Sequence, residues 1–212
     1  MNLQTIKYKK YKEIIPSKGM HILAQHNQDN IVVYQAFSKQ IREYAVQHQQ
    51  LGGPAFSFNR MTWIKPNFLW MMYRCGWATK EKQDGVLAIT IAKRFFDEIL
   101  VQAVYSAFND QIYTSRAEWQ TQMNDSEVRL QWDPDHDPLG NKQERRAIQL
   151  GMKGNIMQQF AQKEIITIED ITPFVTEQYA ILKSGNVDEI LVPYEQLYHP
   201  ADKLVIIKLR LD

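Results

Sequence analysis

Two runs of near-continuous apolar residues, IVVYQAF at 31–37 and VLAITIA at 86–92, constrain the fold of this chain most. Both read as strands, the first β-branched and central, and the second, nearly continuous in apolar character, internal to a sheet. Helical patterns follow both. After Ser38, a good N-cap, Ile41, Tyr44, Ala45 and His48 share one side until Gly52-Gly53-Pro54 stops the helix. Residues 93–108 place Phe96, Ile99, Leu100, Ala103 and Ala107 along the side of a second helix. Further on, NIMQQFA reads as helix, EIITIED as strand, and Ile171 to Leu182 as a helix that tolerates Pro173 in its first turn. The expectation is an α/β fold of mixed α+β character, a single domain over 1–212. Its mixed central sheet could split into two small sheets around a cleft, flanked by helices.

The remaining stretches are less regular. Lys7, Lys9, Lys10 and Lys12 are interleaved with Ile6, Tyr8 and Tyr11, so 1–18 reads as an edge segment or a mobile basic arm. A segment around Trp119 reads as helix, and Glu127 to Trp132 alternates like a half-exposed strand. WDPDHDPLGN at 132–141 reads as a loop, with Asp133, Asp135 and Asp137 initiating turns before Pro134 and Pro138. A calcium loop would need a central glycine and a terminal glutamate at offsets not present here. Glu144-Arg145-Arg146 leads into a short strand, AIQLG, and the tail KLVIIKLRLD reads as a final strand.

Charge and cysteine usage narrow the function classes. With 25 Lys plus Arg against 24 Asp plus Glu, the net charge is +1, so no global field draws nucleic acid or an anionic membrane. Any such partner must be held by a local patch. The single cysteine, Cys75, excludes an intrachain disulfide and a cysteine-built zinc site, and on the apolar side of a helix it reads as a buried thiol. The five histidines are dispersed, and no metal site is expected. The first residues lack the apolar centre of a secretory signal, and no stretch of about 18 apolar residues occurs. A cytoplasmic protein without a membrane segment is the expectation.

Chemistry concentrates in RMTWIKPNFLWMMYRCGWATK, residues 60–80, which holds three of the five tryptophans. Arg60, Lys65, Arg74 and Lys80 are threaded between Trp63, Trp70 and Trp77. Met61 to Ile64 reads as strand, Pro66 opens a helix and Gly76 closes it. On the helical wheel Phe68, Met71, Met72 and Cys75 form one side, and Asn67, Trp70, Arg74 and Trp77 another. That second side can stack a planar ring and hold a phosphate, as an enzyme's nucleotide site or as a non-catalytic RNA- or DNA-binding surface. It can equally be packed core, with Arg74 paired to a carboxylate, in a structural or interaction protein. Tyr34 and Gln35, at the end of a central strand, and Arg146 with its neighbour Arg145, near Gln149, are further candidates for a ligand crevice.

The runs IVVYQAF, RMTWIKPNFLWMMYRCGWATK and VLAITI, with WDPDHD and RRAIQLG, resemble the family catalogued as domain of unknown function 4291. Asn67 and Cys75 stand where many members are expected to carry serine. The order of elements is similar to the core of the ADP-ribosyltransferase superfamily. That second resemblance implies NAD in a cleft between two small sheets and cleavage of its nicotinamide–ribose bond. It would put Gln35 at the first-strand position, with Trp63 and Lys65 on the nicotinamide side. The catalytic carboxylate position would fall on Gln149 or Glu127. Tyr34, Trp63 and Trp70 would stack rings, Arg74 and Arg146 would hold phosphate, Arg60 would help position the cofactor, and Lys65 would stabilise developing charge.

Overall fold

The computed structural model describes residues 3–212. In chain order it begins β1 (Thr5–Lys7), α1 (Tyr8–Ile14), β2 (Lys18–Met20), β3 (Leu23–Ala24), β4 (Asn30–Phe37) and α2 (Lys39–His48). Next come β5 (Thr62–Ile64), α3 (Phe68–Cys75), β6 (Gly85–Ala92), α4 (Lys93–Gln102), β7 (Ala103–Tyr105) and α5 (Arg116–Asp125). β8 (Val128–His136), β9 (Lys142–Met152), α6 (Gly154–Gln159) and β10 (Ile165–Asp170) follow, and α6 continues into a π turn at Phe160–Glu164. The chain closes with α7 (Thr172–Lys183), β11 (Leu191–Pro193), β12 (Gln196–Leu197) and α8 (Lys203–Leu209).

The strands form two principal sheets. In the first, antiparallel β10, β6 and β4 lie side by side, with β6 in the centre. The second is mixed and five-stranded: β8 and β9 make a long antiparallel hairpin, and β7 runs parallel to β8. The far edge of β9 is shared, parallel β2 pairing with Glu144–Arg146 and antiparallel β5 with Leu150–Met152. The sheets meet where Tyr34 and Lys65 exchange backbone hydrogen bonds of 2.7 and 3.1 Å. This is the expected mixed α+β domain with its sheet divided in two.

Burial accounts for the apolar runs. Ile31, Val33, Leu87, Ile89 and Ile91 face a cluster that also takes in Phe95, Phe96 and Leu100 of α4. On the far side of that cluster lie Ile64, Leu130, Ile148 and Leu150 from the inner face of the five-stranded sheet. Val32, Tyr34, Val86 and Ala88 face the opposite way, into a second cluster with α3 and α7. With both faces covered, β4 and β6 have no solvent side to carry polar residues.

Three local expectations fail, each for a tertiary reason. The helix expected over 93–108 ends at Gln102, because Ala103–Tyr105 are taken up as a parallel edge strand beside β8. The tail is helix instead of strand. Asp202 caps α8 by accepting from the Leu204 N–H at 2.8 Å, and Val205 and Leu209, four apart, are the buried pair. Finally, 132–141 is mostly strand, since β8 runs through Pro134 to His136. β7 covers β8 only as far as Leu130, so the outer edge is free beyond it and the missing proline N–H breaks no ladder. Of the three aspartates only Asp137 makes the turn, accepting from the Leu139 and Asn141 N–H groups at 2.9 Å. Among the described residues, no helix is long and apolar enough to cross a membrane.

Candidate functional site

β5 is three residues long, and its alternation sets the site. Ile64 enters the core, so Trp63 and the following Lys65 point to the outer face of the five-stranded sheet. Gln149 on β9 and Gln131 on β8 are cross-strand partners on that same face, and Asp133 is two residues further along β8. Gly151 pairs with Trp63, and the close approach of the indole leaves no room there for a side chain.

α3 crosses above this face as the opposite wall. Asn67 caps it, accepting from the Trp70 N–H at 2.7 Å, and Gly76 ends it in the left-handed conformation at φ +58°. Its entry is fixed by Glu195, a buried carboxyl group that accepts from Tyr11 Oη and the Phe68 N–H at 2.6 Å and from Asn67 Nδ2 at 2.9 Å. Trp70 and Arg74, one turn apart, then face the sheet. Between them and the floor is a recess of about 380 Å³.

The recess has an ordered polar floor. Asp133 accepts from Gln131 Nε2 through Oδ1 and from Gln149 Nε2 through Oδ2, both at 2.8 Å, so its carboxylate cannot rotate freely. Lys65 is 6 % exposed, and among the described residues it has no carboxylate within 4.0 Å; its ammonium reaches the Trp63 carbonyl at 3.4 Å. Burial first, then the charge of Arg74, push Lys65 down to about 8 against the opposing pull of Asp133. Arg74 is exposed at the mouth and also lacks an ion-pair partner among the described residues. The recess therefore offers two uncompensated cations, one oriented carboxylate and two indoles, a set suited to a polar ring with an anionic extension.

Trp70 belongs to a stack outside the recess as well. Its ring lies 5.4 Å from Tyr73 and 5.3 Å from His136, and the Tyr73 and His136 rings are 3.5 Å apart at 11°. Burial holds the His136 imidazole below its usual pKa. The stack joins α3 to the end of β8 and fixes the width of the recess.

Of the residues anticipated from sequence, Trp63, Lys65, Trp70, Arg74 and Gln149 converge here. The others do not. Tyr34 is fully buried in the second core cluster, edge-on to Phe68 at 5.5 Å, because an even-numbered position on β4 faces α3's apolar side. Gln35 is buried and donates to Thr62 Oγ1 at 2.7 Å and the Trp63 carbonyl at 3.1 Å, so it holds β5 without lining the recess. Arg60 is exposed ahead of β5 and does not reach the lining. Glu127 is spent at the start of α6, where it accepts from the Ile156 N–H at 3.0 Å. Arg145 and Arg146 lie within β9 and so point to opposite faces; Arg146 opens on a different cavity, while Arg145 forms a buried ion pair with Asp135. Trp77, on the same side of the wheel as Trp70, is instead buried, donating to the Pro138 carbonyl at 3.2 Å. Asp133 and Gln131 complete the floor, and alternation from Arg129 along β8 puts both on one face.

No curated protein matches the chain at a significant level. A family model described as Domain of unknown function (DUF4291) matches residues 21–198, a span that includes every residue lining the recess. By that match over most of its length, the chain belongs to the DUF4291 family.

Proposed function

We propose that the recess binds the nicotinamide–ribose end of NAD and that the protein is a glycosyl-transfer enzyme of ADP-ribosyltransferase type. The observation carrying this reading is the Asp133 carboxylate, oriented by two amides beside an unpaired Lys65 and two tryptophans. A volume of about 380 Å³ suits a nicotinamide riboside unit, with the diphosphate extending outward past Arg74. In this scheme Trp63 and Trp70 flank the ring, and Lys65 and Arg74 meet the phosphates. As the ribose–nicotinamide bond breaks, its electron pair leaves with nicotinamide, and Asp133 stabilises the positive charge developing on the ribose. The acceptor supplies the new bond to that carbon and loses a proton. Gln149, expected at the carboxylate position, becomes the group that aims the carboxylate of Asp133. A cytoplasmic setting is consistent with such a substrate.

Calorimetric titration with NAD and, separately, with a short single-stranded RNA tests this reading, together with an assay for released nicotinamide. Saturable heat with NAD and nicotinamide release that Asp133→Asn lowers by roughly 10²–10³-fold are expected. Silence with NAD and steeply salt-dependent binding of RNA would replace the enzyme with a nucleic-acid-binding module.

A further inference from the structure

The opposite face of the five-stranded sheet carries a second cavity, of about 490 Å³, that the proposed reaction does not use. It arises because the β8–β9 hairpin outruns the core. Leu130 is in the cluster, Trp132 is packed against its rim, and Arg146, across from Pro134, lies beyond it. The 105–110 segment and Arg116, the first residue of α5, close the other side.

The walls of this cavity combine flat apolar surface with unspent donors. The Arg116 guanidinium lies over the Phe108 ring, 4.8 Å from its centroid. Among the described residues neither Arg116 nor Arg146 has a carboxylate within 4.0 Å, although Arg146 is half-buried. The Trp132 N–H is buried against the Tyr105 hydroxyl, so Trp132 offers the cavity its ring and not its donor. Asp110 is the acidic residue on the lining, and it is exposed and paired with neither arginine. Elsewhere in the same strand a buried arginine is matched: Arg145 donates to Asp135 at 2.8 Å through Nε. A half-buried guanidinium left unmatched, lining the same cavity as a second one stacked on Phe108, is suited to an oxyanion.

We propose that this cavity is a second ligand site, for a flat ring bearing a phosphate or carboxylate. Arg146 and Arg116 hold the oxyanion, and Trp132 and Phe108 flank the ring. β8 and β9 separate Arg146 from Lys65 and Asp133, and Gln131 of β8 is the residue the two linings share.

The test is calorimetry on the full chain with AMP, benzoate and inorganic phosphate as probes. Binding of AMP or benzoate at least tenfold tighter than phosphate is expected, and which of the two wins identifies a phosphate or a carboxylate ligand. Arg146→Gln should weaken that binding tenfold or more and Arg146→Lys should not restore it, because lysine lacks the planar fork. Arg116→Gln, on an exposed helix start, reads the same contact should the Arg146 variants fail to fold. Arg74→Gln, at the mouth of the other recess, should leave this binding unchanged, and Arg146→Gln should leave NAD binding unchanged. Equal affinity for all three probes, no binding at all, or binding sensitive to Arg74→Gln but not to the Arg146 and Arg116 variants would overturn the proposal.

Discussion

Gln149 Nε2 donates to Asp133 Oδ2 over 2.8 Å, tying β9 to β8 at the floor of the recess. The amide of Gln131 holds the other carboxylate oxygen, so the negative charge of Asp133 is aimed without being neutralised. Asp133→Asn keeps the shape and removes the charge. Nicotinamide release should fall by roughly 10²–10³-fold, the size of effect seen when one preorganised electrostatic group is lost. The melting temperature should change little, because Asp133 is half-buried and in no ion pair among the described residues.

Lys65 gives a proton-linked signature. Its pKa is pushed down to about 8, so at pH 8 the free protein carries roughly half a proton there. A phosphate beside the amine restores the charged form. Binding of an anionic ligand at pH 8 should therefore take up about half a proton, measured by calorimetry in two buffers of different ionisation enthalpy. Lys65→Met should abolish the uptake. Because the folded pKa lies below the ordinary 10.5, the fold disfavours the ammonium throughout neutral pH. The same variant should therefore melt at a higher temperature at pH 7 while losing affinity.

Glu195 predicts an opposite pH trend. Burial lifts it from about 4.5 to about 8, so the folded chain keeps a proton that the unfolded chain releases. Its contribution to stability is complete below pH 4.5 and is lost as the pH rises through 8. Urea denaturation between those limits should show a falling stability, at most about 1.4 kcal/mol per pH unit from this one group. In Glu195→Gln that slope should flatten, while the His136 dependence below its usual pKa remains.

Gly151 keeps the indole of Trp63 against the sheet. A Cβ there would lie 2.6 Å from the Met61 sulfur and 2.7 Å from the Trp63 ring. Met61 is flexible and can move, but the ring can only tip into the recess. Gly151→Ala should cost roughly 1–3 kcal/mol by overpacking, read from the urea midpoint. It should also weaken NAD binding several-fold by calorimetry.

Much of this architecture is written locally in the sequence. The covered strands β4 and β6 follow from unbroken apolar runs, and α3 follows from Asn67, Pro66 and Gly76. The pairing of Trp70 with Arg74 on one side follows from helical period. These are short-range properties of the chain, and they set Trp70 and Arg74 on one wall of the recess. Which face each remaining candidate occupies depends on tertiary pairing. Arg145 and Arg146 look like one patch until β9 extends through both and sends them to opposite sides of the sheet. Asp133 looks like a turn residue until the free outer edge of β8 lets the strand pass Pro134. Glu195 reaches Asn67 across 128 residues of chain, a contact that no local pattern encodes. Period and capping are settled by neighbouring residues, whereas strand extent, facing and buried charge partners are settled by elements distant in sequence competing for the same edges and the same interior.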